Sequence, residues 1–289
     1  MAALLPWDLV DPVEATMFVR DLPDPYADNP DVVAFLGVLN DVQVPSNKAR
    51  FGTVTRQQYA GVYRTWDAES PIGRRQLKFN QQEIELPPIS QKIPLRESEF
   101  LELMFAQGQG TTPAFDETLI NEAYDDLRNQ TDQIRNRVAL AKAQVLTTGK
   151  FTLAGENQLF AETDYGIGAT QRPTASPLWT NSAAVPIDDE TAWIYTMTQL
   201  GYRRPTQAWT RLQVLQALQK NAQYKQAAYA AAANPANVGT LTPEQVNQVR
   251  VAYGLPPIRV VEHAITDYAG VDRPLIPAGK FIYTRTEEQ

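Results

Sequence analysis

The chain has 289 residues, with 33 acidic against 26 basic side chains and a formal net charge of -7. That length suits one large or two ordinary domains. With no cysteine and a single histidine, it has no disulfide framework, thiolate metal site or cysteine nucleophile. The acidic balance argues against a strong grip on nucleic acid, which needs a basic patch to neutralise phosphates.

Met1 to Val10 has an apolar start but then Pro6, Trp7 and Asp8. It lacks the basic region and apolar core of a signal peptide. No run approaches the ~18 apolar residues of a membrane span, so a soluble cytoplasmic product is expected. Residues 1–49 read as an arm without a core of its own, acidic at Asp21, Asp24 and Asp28 and broken by Pro23, Pro25, Pro30 and Pro45. Val32 to Leu39 could form a short apolar anchor. Two readings of this arm stand side by side: a flexible terminus, or an extended segment ordered only against other subunits.

Residues 50–96 reverse the charge, with Arg50, Arg56, Arg64, Arg74, Arg75, Lys78, Lys92 and Arg96 against four acids. Strand-like text runs over Phe51 to Thr55, Val62 to Trp66, Leu77 to Asn80 and Ile84 to Leu86, with a turn at Ser70 to Gly73. A hairpin of this kind is marginal alone. The acidic arm and the basic hairpin could attract each other between copies, which makes Asp21, Asp24, Asp28, Arg64, Arg74, Arg75 and Lys78 the candidate inter-subunit contacts. Chance clustering of charge on two solvated segments is the alternative.

Residues 112–148 carry the clearest pattern. Thr112 and Pro113 make a helix start, Gly149 a stop, and Phe115, Leu119, Ala123, Leu127, Ile134, Val138, Ala141 and Val145 recur mostly at three- or four-residue steps. At 1.5 Å per residue such a helix runs roughly 50 Å, and it reads as a spine. Two short strands follow, Lys150 to Leu153 and Asn157 to Tyr165, with Gly155 near their turn. Beyond Pro186, helices are expected from Asp188 or Asp189 to Gly201, then from about Pro205 through Trp209, Leu212, Leu215, Leu218 and Ala222. A third starts at the capping box Thr242 to Gln245, stapled by Leu241 and Val246, and ends at Gly254. Ile258 to Glu262 and Lys280 to Thr284 read as strands.

Candidate chemistry is thin. His263 has no local nucleophile beside it and reads as structural or exposed. Gly108 and Gly110 precede a helix but lack the lysine ending of a phosphate loop, and read as a hinge. Asp125-Asp126 and Asp188-Asp189 diverge as neighbours. Asp164, Asp188 and Asp189 could hold a metal only if the fold gathers them. No catalytic residue and no cofactor is expected.

The stretch Arg137 to Leu153, with Leu146-Thr147-Thr148-Gly149-Lys150 at its centre, then Gly155-Glu156 and Asp164-Tyr165-Gly166, resembles the lambda-type (gpE) major capsid protein family of tailed bacteriophages. There a long helix ends in a Leu-x-x-Gly-Lys turn, leading to a Gly-Glu step and an Asp-hydrophobic-Gly strand. Trp179-Thr180, Pro186 to Glu190 and Leu275 to Ile282 fit later pieces, so the resemblance spans about residues 80–285.

It implies an α+β chain with the Hong Kong 97 capsid fold: an N-arm at 1–49, an extended E-loop at 50–96, and a P-domain at 97–165 holding the spine 112–148. An A-domain follows at 166–274, and the start of a return strand toward the P-domain at 275–289. The implied role is structural and non-enzymatic: a subunit that self-assembles as hexamers and pentamers into the icosahedral head shell enclosing phage DNA. Scaffolding protein, a portal and a decoration protein are the implied partners. The virion is the destination, with assembly in the host cytoplasm and no membrane. Relatives continue past this final strand, so the chain is expected either to be incomplete or to lack that return. Lysine cross-linking, for which Lys78 and Lys92 are placed, is not expected. The other readings are a soluble enzyme with an unrecognised site, or another phage structural piece such as a tail tube or adaptor subunit.

Overall fold

The structure, a computed structural model, describes residues 12–57, 63, 66, 76–85, 87–90, 113–156, 159–229 and 239–285. The chain forms two compact units, one of residues 41–89 and one of residues 1–40 with 90–289.

The smaller unit is a two-stranded antiparallel ribbon, β1 (Lys48–Gln57) against β2 (Gln76–Glu85), in register from Lys48 opposite Glu85 to Gln57 opposite Gln76. The strand texts at 77–80 and 84–86 thus fall largely in one continuous strand. At the ribbon's base Lys48 and Arg50 both reach Glu83, at 3.2 and 2.8 Å. The expected strand at 62–66 and turn at 70–73 fall outside the described residues, apart from the exposed Tyr63 and Trp66.

In the larger unit, α1 (Pro12–Asp21) and α2 (Pro30–Leu36) precede the spine α3 (Pro113–Thr148). Its 36 residues extend about 54 Å at 1.5 Å each. It stops because Gly149 adopts φ +71°, and the Gly149 N–H donates to the carbonyl of Val145 at 2.8 Å. A side chain there would be strained in the left-handed region. It would also collide, since a Cβ on Gly149 would lie 2.8 Å from Ile167 Cδ1.

The turn feeds β3 (Lys150–Glu156), which pairs antiparallel with β4 (Leu159–Asp164). Gly155 is not in the turn between them. It sits where the register shifts between Ala154 and Glu156, inside β3, the position where a bulge favours glycine.

The remainder surrounds a three-stranded sheet ordered β6-β5-β9: β5 (Gln207–Thr210) is central, parallel to β6 (Ile258–Val260) and antiparallel to β9 (Phe281–Thr284). Helices α4 (Pro186–Gln199), α5 (Leu212–Lys220), α6 (Ala222–Ala228) and α7 (Pro243–Ala252) accompany it, with a hairpin of β7 (Ala264–Thr266) and β8 (Asp272–Pro274). The capping box of α7 forms as expected, and its staple residues Leu241 and Val246 are buried.

One expected helix is wrong. Trp209 lies not in a helix from Pro205 but in β5, and the helical text after it is cut in two at Asn221. The side-chain oxygen of Asn221 accepts the N–H of Gln223 at 2.8 Å and so starts α6 afresh. Trp209 prefers the strand because it is fully buried there, with its indole N–H donating to Thr284 Oγ1 at 2.7 Å across the sheet.

Two cores flank β5. Ala208 belongs to one, with Ile187, Ile194, Leu215, Leu218, Tyr224, Val246 and Ile258. Trp209 belongs to the other, with Val32, Phe35, Leu36, spine residues Ala139 and Ala143, Ile265, Leu275 and Ile276. Alternation along one strand sends neighbouring side chains to opposite faces.

Candidate functional site: exposed surfaces and a buried network

The N-terminal segment departs from both expected forms. Among the described residues, those of α1, α2 and the link between them dock within their own subunit. Val32, Phe35 and Leu36 are the expected apolar anchor, and all three are buried. At about 1.5–3 kcal/mol per fully buried large apolar side chain, that holds the segment firmly. Phe35 meets the edge of Trp209 at 5.6 Å between ring centroids, and Phe18 of α1 meets Tyr124 of the spine at 4.7 Å. Arg135 of the spine donates to the carbonyls of Pro23 and Leu22, at 2.5 and 3.0 Å. The Tyr26 hydroxyl donates to Asn136 Oδ1 at 2.5 Å. Burial first, then the carboxylates of Asp24 and Asp132, push the Tyr26 phenol up to about 12.

This docking leaves acids outward. Asp21 and Asp28 are exposed, and so is Asp24, whose Oδ1 accepts the Tyr26 N–H at 3.0 Å. Of the basic candidates, Arg64, Arg74 and Arg75 lie outside the described residues. Lys78 is on β2, opposite Thr55.

His263 packs edge-on against Tyr26 at 5.4 Å, and its carbonyl accepts the Leu275 N–H at 2.9 Å. Asp164, Asp188 and Asp189 are not gathered: among the described residues no group of three or more His, Asp or Glu is arranged to hold a metal. Asp164 accepts the Gly166 N–H at 2.8 Å and pairs with Lys150 at 3.1 Å, and both hold its carboxyl below the usual range. Asp189 instead accepts the Trp179 indole N–H at 2.9 Å. Gly108 and Gly110 lie outside the described residues. An open groove beside α5 is lined by Thr180, Asn181, Ser182, Gln213, Gln216 and Lys220. It offers amides and hydroxyls but no paired acid and base. No helix among the described residues is long and apolar enough to cross a membrane.

The strongest polar constellation is one the sequence did not announce. Glu190 of α4 and Arg250 of α7 are both fully buried and form a two-pronged ion pair, Nη1 to Oε1 at 2.6 Å and Nη2 to Oε2 at 2.7 Å. The Tyr224 hydroxyl of α6 donates to Glu190 Oε1 at 3.3 Å, the Tyr283 hydroxyl of β9 donates to Oε2, and Arg250 Nε donates to the Pro256 carbonyl at 2.9 Å. Burial disfavours the charged guanidinium, but Glu190 and the two tyrosines outweigh it and hold the Arg250 pKa above its ordinary value. Burial and the Glu190 carboxylate likewise raise both phenols.

Every polar atom of this network faces another protein group, with none left for a substrate. It ties four elements together, a role for which buried ionic groups suit specificity better than stability. The signal was present in the sequence. Glu190 falls on the stripe of Ile187 and Ile194, and Arg250 on that of Val246 and Val249, so two opposite charges interrupt two apolar stripes.

These features define a mixed helix-and-sheet fold with long elements, a closed buried polar network and outward charge. A family model described as phage major capsid protein E matches residues 24–289. The chain belongs to that family of structural capsid proteins, which places it in the phage virion. No curated protein matches the chain. Among solved structures, one assigned as a capsid protein of a prophage of E. coli CFT073 is similar at 13% identity and a TM-score of 0.41, over 69% of this chain and 55% of that one. This chain thus spans a little over half the length of that protein.

Proposed function

We propose that this chain tiles, as hexamers and pentamers, into the icosahedral shell of a tailed-phage head with the Hong Kong 97 layout. Residues 1–49 are the arm and 50–96 the extended loop, 97–165 the peripheral domain with the spine, and 166–274 the axial domain, with 275–289 starting the return toward the spine. The family match over 24–289 carries this reading. The architecture supports it physically. Both described cores are built from residues outside 41–89, while that stretch is a compact unit of its own, with a ribbon ten residues long. A two-stranded ribbon is marginal in isolation, and tiling supplies the surface it lacks. Leu275 and Ile276 share a core with Ala139 and Ala143 of the spine, which suits a return toward it.

An acidic subunit suits a container, because packaged DNA should not adhere to its wall. Scaffolding protein, a portal and a decoration protein are the partners such a shell uses, and the host cytoplasm is where it assembles. Electron microscopy of the purified or co-expressed protein tests the proposal. Shells, capsomers or capsomer sheets are expected; a stable small monomer that binds a metabolite would overturn it.

A further inference from the structure

One corner of the larger unit stands apart from the acidic surface of the chain. It lies where β5 and β6 begin and β9 ends, and three segments build it. The turn after α4 contributes Leu200 and Tyr202, each 51% exposed, and the end of α7 contributes Val251 at 62% and Tyr253 at 54%. Arg204 joins them: a Cβ on Gly254 would lie 3.3 Å from Arg204 Nη2, so the guanidinium rests across the C-terminal end of α7, where the helix dipole favours a cation. Arg285 Nη1 donates to the Arg204 carbonyl at 3.4 Å, adding a second exposed guanidinium. Among the described residues no carboxylate pairs with Arg204 or Arg285. Tyrosine and arginine around exposed aliphatic groups are the composition of a contact centre between proteins.

Resting on the shell-subunit reading, we propose that this corner docks a second copy of the chain, through the acidic N-terminal segment of that copy. Charge chooses the occupant. A basic corner repels its own likeness, so the contact joins two different patches, the heterologous geometry that closes rings. Glu14, Asp21, Asp24 and Asp28 stand exposed on the N-terminal segment, where Asp31 pairs with Arg259. Val32, Phe35 and Leu36 of that segment share the core on the Trp209 face of the sheet. At the base of the ribbon, Lys48 and Arg50 are already engaged by Glu83. DNA is the weaker occupant of the corner, because the exposed Leu200 and Val251 gain nothing from a phosphate backbone.

The test uses three variants of the full chain, each first checked for wild-type circular dichroism and melting: R204E/R285E, D21K/D28K, and the four changes combined. Capsomers and shells are counted by electron microscopy and sedimentation. Each double reversal should lower assembly by about tenfold or more, the scale of one close charge pair, and the combined variant should recover it. Normal assembly by either double variant overturns the proposal, and so does failure of the combined one. Recovery of D21K/D28K by R74E/R75E instead would also overturn it and assign the acids to the hairpin. If R204E/R285E assembles normally but loses binding to a short labelled DNA duplex, the occupant is nucleic acid. A wild-type chain that never assembles would sink the shell reading itself, a result distinct from all of these.

Discussion

Replacing Arg250 by Met keeps an unbranched apolar stem but strips the Glu190 carboxylate of its two charged donors at 2.6 and 2.7 Å. Only the Tyr224 and Tyr283 hydroxyls then face it, in a site with no exposure to water. Removing one partner of a buried ion pair costs about 3–5 kcal/mol. That is a large share of the roughly 5–15 kcal/mol that holds a domain folded. E190M should cost a similar amount, because it leaves the guanidinium with only the Pro256 carbonyl and the Tyr224 hydroxyl. The double variant removes both charges and leaves two hydroxyls without an acceptor, each worth about 1–3 kcal/mol. At the middle of these ranges it should therefore be less destabilised than the sum of the singles by about 4 kcal/mol. Adding Y224F and Y283F should recover most of the remainder. Urea unfolding of dissociated subunits, followed by far-ultraviolet circular dichroism and tryptophan fluorescence, measures each step. Single variants within about 1 kcal/mol of wild type, or a strictly additive double, would refute the claim that these four side chains act as one unit.

Gly149→Ala should destabilise by about 1–2 kcal/mol from its left-handed backbone alone. The 2.8 Å approach to Ile167 adds to this, so I167A should partly rescue it in a thermal melt. Phe35→Ala should cost about 3–5 kcal/mol, since its ring is wholly buried against Trp209. The same variant should speed proteolysis within residues 12–36. In an alkaline spectrophotometric titration, Tyr26, Tyr224 and Tyr283 should ionise late. For Tyr26 the folded value of about 12 exceeds the ordinary phenol value of 10.0. The folded state therefore holds its proton longer, and that stability is full below pH 10 and is lost as pH rises toward 12. Y26F should flatten that part of the pH dependence; an unchanged slope would contradict it.

The elements with local punctuation were legible from sequence. Pro113 and Gly149 bound the spine, and Thr242 with Gln245 begin α7, because caps and left-handed stops act within a few residues. Trp209 was misplaced because β5 is four residues long. A strand that short carries no readable period, and what fixes it is the distant pairing with Ile258 to Val260 and Phe281 to Thr284. The docking of Phe35 in its own subunit was illegible for the same reason. An apolar run announces that it will be buried, but not against which chain. Glu190 and Arg250 were passed over because charged residues on helices are usually solvated. Only the pairing of two interrupted stripes betrays them.

The single-strand wall between the two cores has a genetic consequence. Ala208 and Trp209 face opposite sides of β5, so the strand cannot shift to fill a gap on one side without opening one on the other. Second-site suppressors of a Phe35 truncation should therefore gather among the residues around Trp209, such as Leu275, Ile276 and Ala139. Those around Ala208, though it directly precedes Trp209 in the chain, should stay silent in such a screen.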